Sequence, residues 1–137
     1  MLLSRRRRER GQVTVFVAGA SVGLILVAGL SLDGGSILAG RERAFDEAQE
    51  AARAGADALS PSALRGSSHP VVNLSEAVTA VNNYMLATGD TAKVTVTGDQ
   101  VTVVVTTRVQ TQILSMAGVN SVAVSGSATA EPEAGGP

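Results

Sequence analysis

Residues 13–32 read VTVFVAGASVGLILVAGLSL, twenty consecutive residues without a charged side chain. A helix rises about 1.5 Å per residue, which makes this stretch about 30 Å long. That length matches the hydrocarbon core of a bilayer, and a helix that is apolar on all sides needs either lipid or other helices around it. A chain of 137 residues has too few helices to surround one. The stretch therefore predicts a single transmembrane helix.

Basic residues lie directly before this span and predict its orientation. They are Arg5, Arg6, Arg7, Arg8 and Arg10, interrupted by Glu9. Because positive charge resists translocation, residues 1–12 are expected to stay in the cytoplasm and residues 33–137 to lie outside the cell membrane. Two other interpretations are weaker. A nucleic-acid patch seldom adjoins a hydrophobic span, and the apolar core of a cleaved signal sequence is usually only about 7–15 residues long.

The composition excludes several kinds of site. The chain has no Cys, no Trp and a single histidine, His69, and aromatic residues make up 2% of it. Disulfides, Cys-based zinc sites and Cys nucleophiles are therefore excluded, and single-stranded nucleic acid would find no stacking platform. P-loop and HExxH motifs are also missing from the sequence. We expect no enzymatic activity, cofactor, metal, nucleic acid or small-molecule substrate; the rival hypothesis is a cell-envelope hydrolase built around His69.

An alanine-rich segment, residues 33–60, follows the span and is predicted to be helical. At its start, Asp33 ends the apolar run, and Gly34 and Gly35 loosen the helix. Further on, residues at helical spacing form a candidate helix-packing face, which consists of Phe45, Ala48, Ala52, Gly55 and Leu59. Small side chains allow another backbone to approach closely. Two interpretations stay open: this face packs on the chain's own sheet, or it packs on sister subunits.

A second helix is predicted after a loop at residues 61–73. Asn73 has the pattern of an N-cap, with Glu76 three residues later. The helix is expected to run to about Thr88, and Gly89 provides a C-terminal stop.

Alternating Val and Thr residues around Gly98-Asp99 predict a β-hairpin with a type II′ turn. Pairing outward from the turn puts Val96 opposite Val101 and Val94 opposite Val103, so that these valines share one face. A short helix at residues 111–117 and a third strand in SVAVSGSATA follow, and the tail at residues 131–137 is expected to be disordered. The predicted class is α+β: a transmembrane helix, an extended alanine-rich helix, and a small domain at residues 74–130 with a helix and an antiparallel three-stranded sheet.

The N-terminal sixty residues also resemble a known family. The features that carry the resemblance, besides the arginines and the span, are RGQVTVF at residues 10–16, LDGG at residues 32–35 and AARAGADAL at residues 51–59. Together they resemble the TadE/TadG-like proteins of tight-adherence (Flp) pilus assembly, most closely the TadG-like N-terminal region. The resemblance implies a membrane-anchored, non-enzymatic component of pilus assembly or secretion, with a pilin-like layout. Its implied partners are the lipid bilayer and other pilus-assembly or pilin-like membrane subunits; the alternative is an envelope scaffold, sensor or hydrolase unrelated to pili.

Two features of the family's pattern are missing here. Pilin-like members carry a glutamate at the fifth position after the glycine of the peptidase site, and this chain has Phe16 at that distance from Gly11. We therefore expect no cleavage between Gly11 and Gln12, and a membrane-anchored assembly factor rather than a filament subunit. Larger TadG-like proteins also carry an adhesion-type metal-binding domain, for which 137 residues are expected to leave no room.

Overall fold

The computed structural model describes residues 6–58 and 72–132, with side chains from residue 11 onward. The elements within these ranges are α1 (Arg6–Ala56), α2 (Leu74–Thr88), β1 (Thr91–Thr97), β2 (Gln100–Gln110), α3 (Ile113–Met116) and β3 (Ser121–Ala130). A long N-terminal helix, shorter helices and a three-stranded antiparallel sheet confirm the α+β class predicted from the sequence. Arg5, Leu59 and His69 lie outside the described residues, as do most of the expected loop and the tail from residue 133.

The apolar span and the alanine-rich segment form one unbroken helix, α1. It contains 51 residues and is about 76 Å long at about 1.5 Å per residue. Gly34 and Gly35 do not interrupt it, although a glycine inside a helix costs about 1 kcal/mol relative to alanine. From Gly11 onward it is long and apolar enough to cross a membrane, and it is the one such helix in the described part of the chain. The helix ends at Ala56, somewhat before residue 60.

The sheet has the strand order β1-β2-β3, with both pairs antiparallel. Val96 pairs with Val101 and Val94 with Val103, as predicted from the turn. Gly98 has a φ of 66° while Asp99 keeps a negative φ, the combination that defines a type II′ turn. The valines at positions 101, 103 and 105 are fully buried on the inner face.

The second helix, α2, has the caps that the sequence predicts. The side chain of Asn73 accepts a hydrogen bond from the backbone N–H of Ser75, at 3.0 Å. Gly89 adopts a left-handed φ of 77°, and its N–H donates to the carbonyl of Met85. The buried face of α2, which carries Val81, packs against α1 and β1.

Small side chains make up the core between α1, α2 and the sheet. Its buried members are Ala44, Ala48, Ala51, Ala52, Ala56, Val72, Ala77, Val81, Met85, Val101, Val103 and Val105. Side chains this small allow close backbone contact. At Gly126 of β3, an added Cβ would fall 2.5 Å from the carbonyl carbon of Ala44, so the strand lies directly on the helix backbone.

Strand β2 runs lengthwise along α1 in the opposite direction. It and the residues just after it meet the helix at three glycines: Ile113 at Gly29, Val109 at Gly40 and Val101 at Gly55. From Gly29 to Gly55 the helix rises about 39 Å at about 1.5 Å per residue. From Val101 to Ile113 an extended chain covers about 40 Å at about 3.3 Å per residue. Because these lengths agree, the β2–β3 connection lies beside the end of the apolar span, and the β1–β2 turn lies at the far end.

Candidate functional site

Asp33, the first residue after the apolar span, binds the backbone of a segment far away in the sequence. Its Oδ1 accepts a hydrogen bond from the N–H of Gln112 at 2.7 Å. Its Oδ2 accepts from the N–H groups of Ile113 at 2.9 Å and Leu114 at 2.8 Å. The first N–H groups of a helix have no partner within the helix, and a carboxylate is a favourable acceptor for them. Asp33 therefore attaches the start of α3 to α1 at the end of the span.

These bonds also keep the Asp33 carboxylate charged. The residue is only 2% exposed. The hydrogen bonds from the backbone of Gln112 and Leu114 hold the pKa of Asp33 below its ordinary value, although burial acts in the opposite direction. The buried charge is thus stabilised by backbone N–H groups.

Residues 111–120, which we call the tip, connect β2 to β3 and close on themselves. The N–H of Thr111 donates to the carbonyl of Asn120 at 3.1 Å, and the N–H of Val119 donates to the carbonyl of Leu114 at 3.0 Å. The Thr111 hydroxyl donates to the carbonyl of Val119, and Gly118 makes the return turn with a φ of 91°. The tip is therefore a compact unit whose shape is set by its own backbone.

The tip places apolar side chains beside the span. Ile113 lies against Gly29, the one buried residue between positions 11 and 32. Gly29 comes three residues before the end of the span, which is about 5 Å along the helix axis. Met116 is 84% exposed and Val119 44% exposed. The tip thus has outward apolar groups at the level where the apolar part of α1 ends.

The candidate helix-packing face is mostly buried within the chain itself. Ala48 and Ala52 belong to the core, and a Cβ added at Gly55 would lie 2.9 Å from a methyl group of Val101. Of the two interpretations left open by the sequence, this places the small residues on the chain's own sheet and α2. Phe45 differs, because it is 47% exposed and lines a groove between α1 and β3 together with Leu38.

The remaining sequence-predicted residues do not converge on one place. Gly34 and Gly35 are exposed, with open space where a Cβ would point, whereas the neighbouring Asp33 is bound to the tip. Gly11 and Gln12 are exposed within α1. The backbone of Arg6, Arg7, Arg8 and Arg10 forms the first turns of α1.

A second carboxyl inside the fold, that of Glu47, is half-buried, and no sequence pattern indicated it. Its Oε2 atom is buried without a hydrogen-bond partner. Burial and the negative charge of Asp90 raise the pKa of Glu47, and the positive charge of Arg43 offsets part of this effect. Asp90 follows α2 and Glu47 lies on α1, so only the packed fold brings the two carboxyls together. Within residues 6–58 and 72–132, no group of three or more His, Asp or Glu side chains is arranged to hold a metal ion.

Comparison with known proteins finds a similarity in the N-terminal segment. Residues 11–58 match a family model described as putative Flp pilus-assembly TadE/G-like, which confirms the resemblance predicted from the sequence. The match begins directly after Arg10, includes Asp33 and ends two residues after α1. It covers about a third of the chain and leaves α2 and the sheet outside. No curated protein and no solved structure matches the chain.

Proposed function

We propose that this chain, whose residues 11–58 form a TadE/G-like segment, is a membrane-anchored, non-enzymatic component of Flp-type pilus assembly or its secretion machinery. The observation that carries the proposal is the extent of the match, which covers α1 from Gly11 to its end and two residues beyond. That helix combines an apolar stretch suited to a bilayer with a platform on which the sheet packs. Such an arrangement suits a protein that holds a folded domain at the membrane and acts through protein–protein contacts.

Deletion of the gene from its host tests the role in pilus assembly. We expect loss of surface pili, counted by electron microscopy, and full recovery with the wild-type chain. A His69→Ala chain should restore pili equally well, because a non-enzymatic role does not need the single histidine. Normal pili after deletion would contradict the proposal. Failure of a folded, exported His69→Ala chain would favour the hydrolase hypothesis.

For the topology, we propose a cytoplasmic N-terminus and an extracytoplasmic sheet domain. The support is the arginine cluster and the charge-free span that follows the cluster. Alkaline phosphatase, which is active only after export, should be active when fused to the C-terminus. The matched control is a fusion directly after Gln12, which lacks the span and should be inactive. An inactive C-terminal fusion of a stably expressed chain would overturn this orientation.

We further propose that contacts with other pilus-assembly or pilin-like subunits involve the exposed side of α1 outside the membrane. Leu38 and Phe45 are seven residues apart, which is about two helical turns, and both line the groove beside β3. A photo-crosslinking amino acid at either position should capture a neighbouring subunit. The control position is Thr95, which is exposed on the outer face of β1. Equal capture from Thr95 would contradict a specific contact at the groove.

The chain is also proposed to stay uncut and to act as an assembly factor. A glutamate within a span costs about 2.5–3.5 kcal/mol on insertion scales, and it persists where a partner stabilises it. Phe16 lacks that charge, and its side chain is exposed on α1. Intact-mass measurement of the membrane-extracted protein should therefore give the full chain. A mature form that begins at Gln12 would instead make this chain a filament subunit.

A further inference from the structure

The tip, residues 111–120, has an unusual composition for an exposed connection between strands. Between Arg108 and Glu131 the sequence contains no charged residue. Exposed connections in water are commonly polar, whereas Met116 and Val119 of the tip point apolar side chains outward. Among the other apolar side chains of the tip, Ile113 and Leu114 are half-buried in the protein, whereas Ala117 is exposed.

The position of the tip explains this composition. Ile113 packs on Gly29, which lies inside the apolar span. One turn further along α1, Asp33 accepts hydrogen bonds from the N–H groups of residues 112–114. Any bilayer that covers residues 13–32 therefore reaches the tip as well. The exposed side chains of Met116 and Val119 belong to the same short unit as Ile113, and they add apolar surface beside the span.

The backbone of the tip is also suited to a medium with little water. An unpaired N–H group in an apolar environment costs several kcal/mol. In the tip, Asp33 accepts from residues 112–114, and carbonyls within the tip accept from Thr111 and residues 117–119. The N–H groups on the side nearest the span are thus paired inside the protein.

We propose that the tip is a second membrane contact, in which Met116 and Val119 enter the outer interfacial layer of the bilayer beside α1. The partner is the lipid itself, and Asp33 is the positioning residue that holds the tip at this depth. The inference rests on the proposed anchoring of residues 13–32 in the membrane. It adds that the sheet domain rests on the bilayer surface by one end, with the β1–β2 turn pointing away.

Tryptophan fluorescence tests this, because the chain contains no tryptophan of its own. The full chain is reconstituted into phosphatidylcholine vesicles with bromine on the acyl chains, which quench tryptophan on contact. Met116→Trp should be quenched several-fold more strongly than Thr97→Trp at the far end of the sheet. Val119→Trp serves as a second position in case the first substitution disturbs the tip. Leu24→Trp, in the middle of the span, reports the anchor independently.

Each combination of results distinguishes the tip from the anchor. Quenching at positions 24, 116 and 119 with little at 97 supports the proposal. Quenching at position 24 without quenching at 116 and 119 overturns the tip contact and leaves the anchor intact. Equal quenching at 97 and 116 overturns it as well, because the whole domain would then lie on the bilayer. No quenching at position 24 overturns the anchor and, with it, the tip contact.

Discussion

Replacement of Gly126 by alanine tests the closest contact in the fold. Gly126 lies in β3, opposite Val105 of β2. The added Cβ would fall 2.5 Å from the carbonyl carbon of Ala44, whereas carbon atoms in contact lie about 3.5–4.0 Å apart. Helix and strand must therefore separate by about 1 Å. Because the atoms in the way belong to the backbone of α1, no side-chain rotation can relieve the clash.

The expected loss of stability follows from this displacement. Overpacking a core costs about 1–3 kcal/mol of stability. A clash with backbone atoms falls at the upper end of this range, at about 2–3 kcal/mol, because no side chain can move away. A change of 1 kcal/mol shifts the melting temperature of a domain of about 60–100 residues by about 4–8 °C. Gly126→Ala should therefore lower the melting temperature by about 8–24 °C.

The measurement is thermal unfolding of the detergent-solubilised chain, followed by circular dichroism and by the fluorescence of Tyr84. Gly34→Ala is the matched control, because a Cβ there meets nothing within 4 Å. It should stabilise α1 by about 1 kcal/mol. A Gly126→Ala chain that melts within a few degrees of the wild type would refute the direct contact between β3 and α1.

Three further predictions concern Asp33, Glu47 and the contact between the tip and Gly29. Asp33→Asn should speed hydrogen exchange in residues 112–114, whereas the control Asp99→Asn should leave it unchanged. Equal exchange in both variants would exclude the attachment of the tip by Asp33. Because folding lowers the pKa of Asp33, its stabilising effect is present above the unfolded value of about 3.9 and disappears as the pH falls through the folded value. Glu47 has the opposite sign: folding raises its pKa, so the fold gains stability as the pH falls from neutral toward the unfolded value of about 4.3. Glu47→Gln should therefore raise the melting temperature at neutral pH and reduce the gain in stability at lower pH. An unchanged dependence of the melting temperature on pH would contradict a raised pKa at Glu47. Gly29→Val should displace Ile113 and increase proteolysis within the tip without affecting the melting of α2. A cleavage pattern identical to that of the wild type would disprove this prediction.

Elements with a local signal could be predicted from the sequence. The hairpin register follows from Gly98 and the alternating valines, since a tight turn fixes which residues face each other. The limits of α2 follow from Asn73 and Gly89, whose capping roles depend on a few neighbouring residues. The span follows from the length of the charge-free run.

The candidate site could not be predicted in the same way. Asp33 has the sequence context of a residue that ends a span, and its actual partners lie 79–81 positions later in the chain. The glycines after it favour a break, but the helix continues because its far half packs on the sheet and α2. Gly126 is similar, because nothing near it in β3 indicates that the backbone of α1 lies against it.

The course of β2 along α1 has a mechanical consequence. The point where a helix leaves the membrane is commonly a flexible hinge. Gly34 and Gly35 would suit a hinge, because glycine weakens a helix. In this protein, β2 and the tip support the helix on both sides of that point. They contact it before the point, at Gly29, and after the point, at Gly40 and Gly55. A pull or twist applied at the N-terminal end of α1 is therefore transmitted to the sheet without an intervening hinge, and the tilt of this one helix sets the orientation of the sheet.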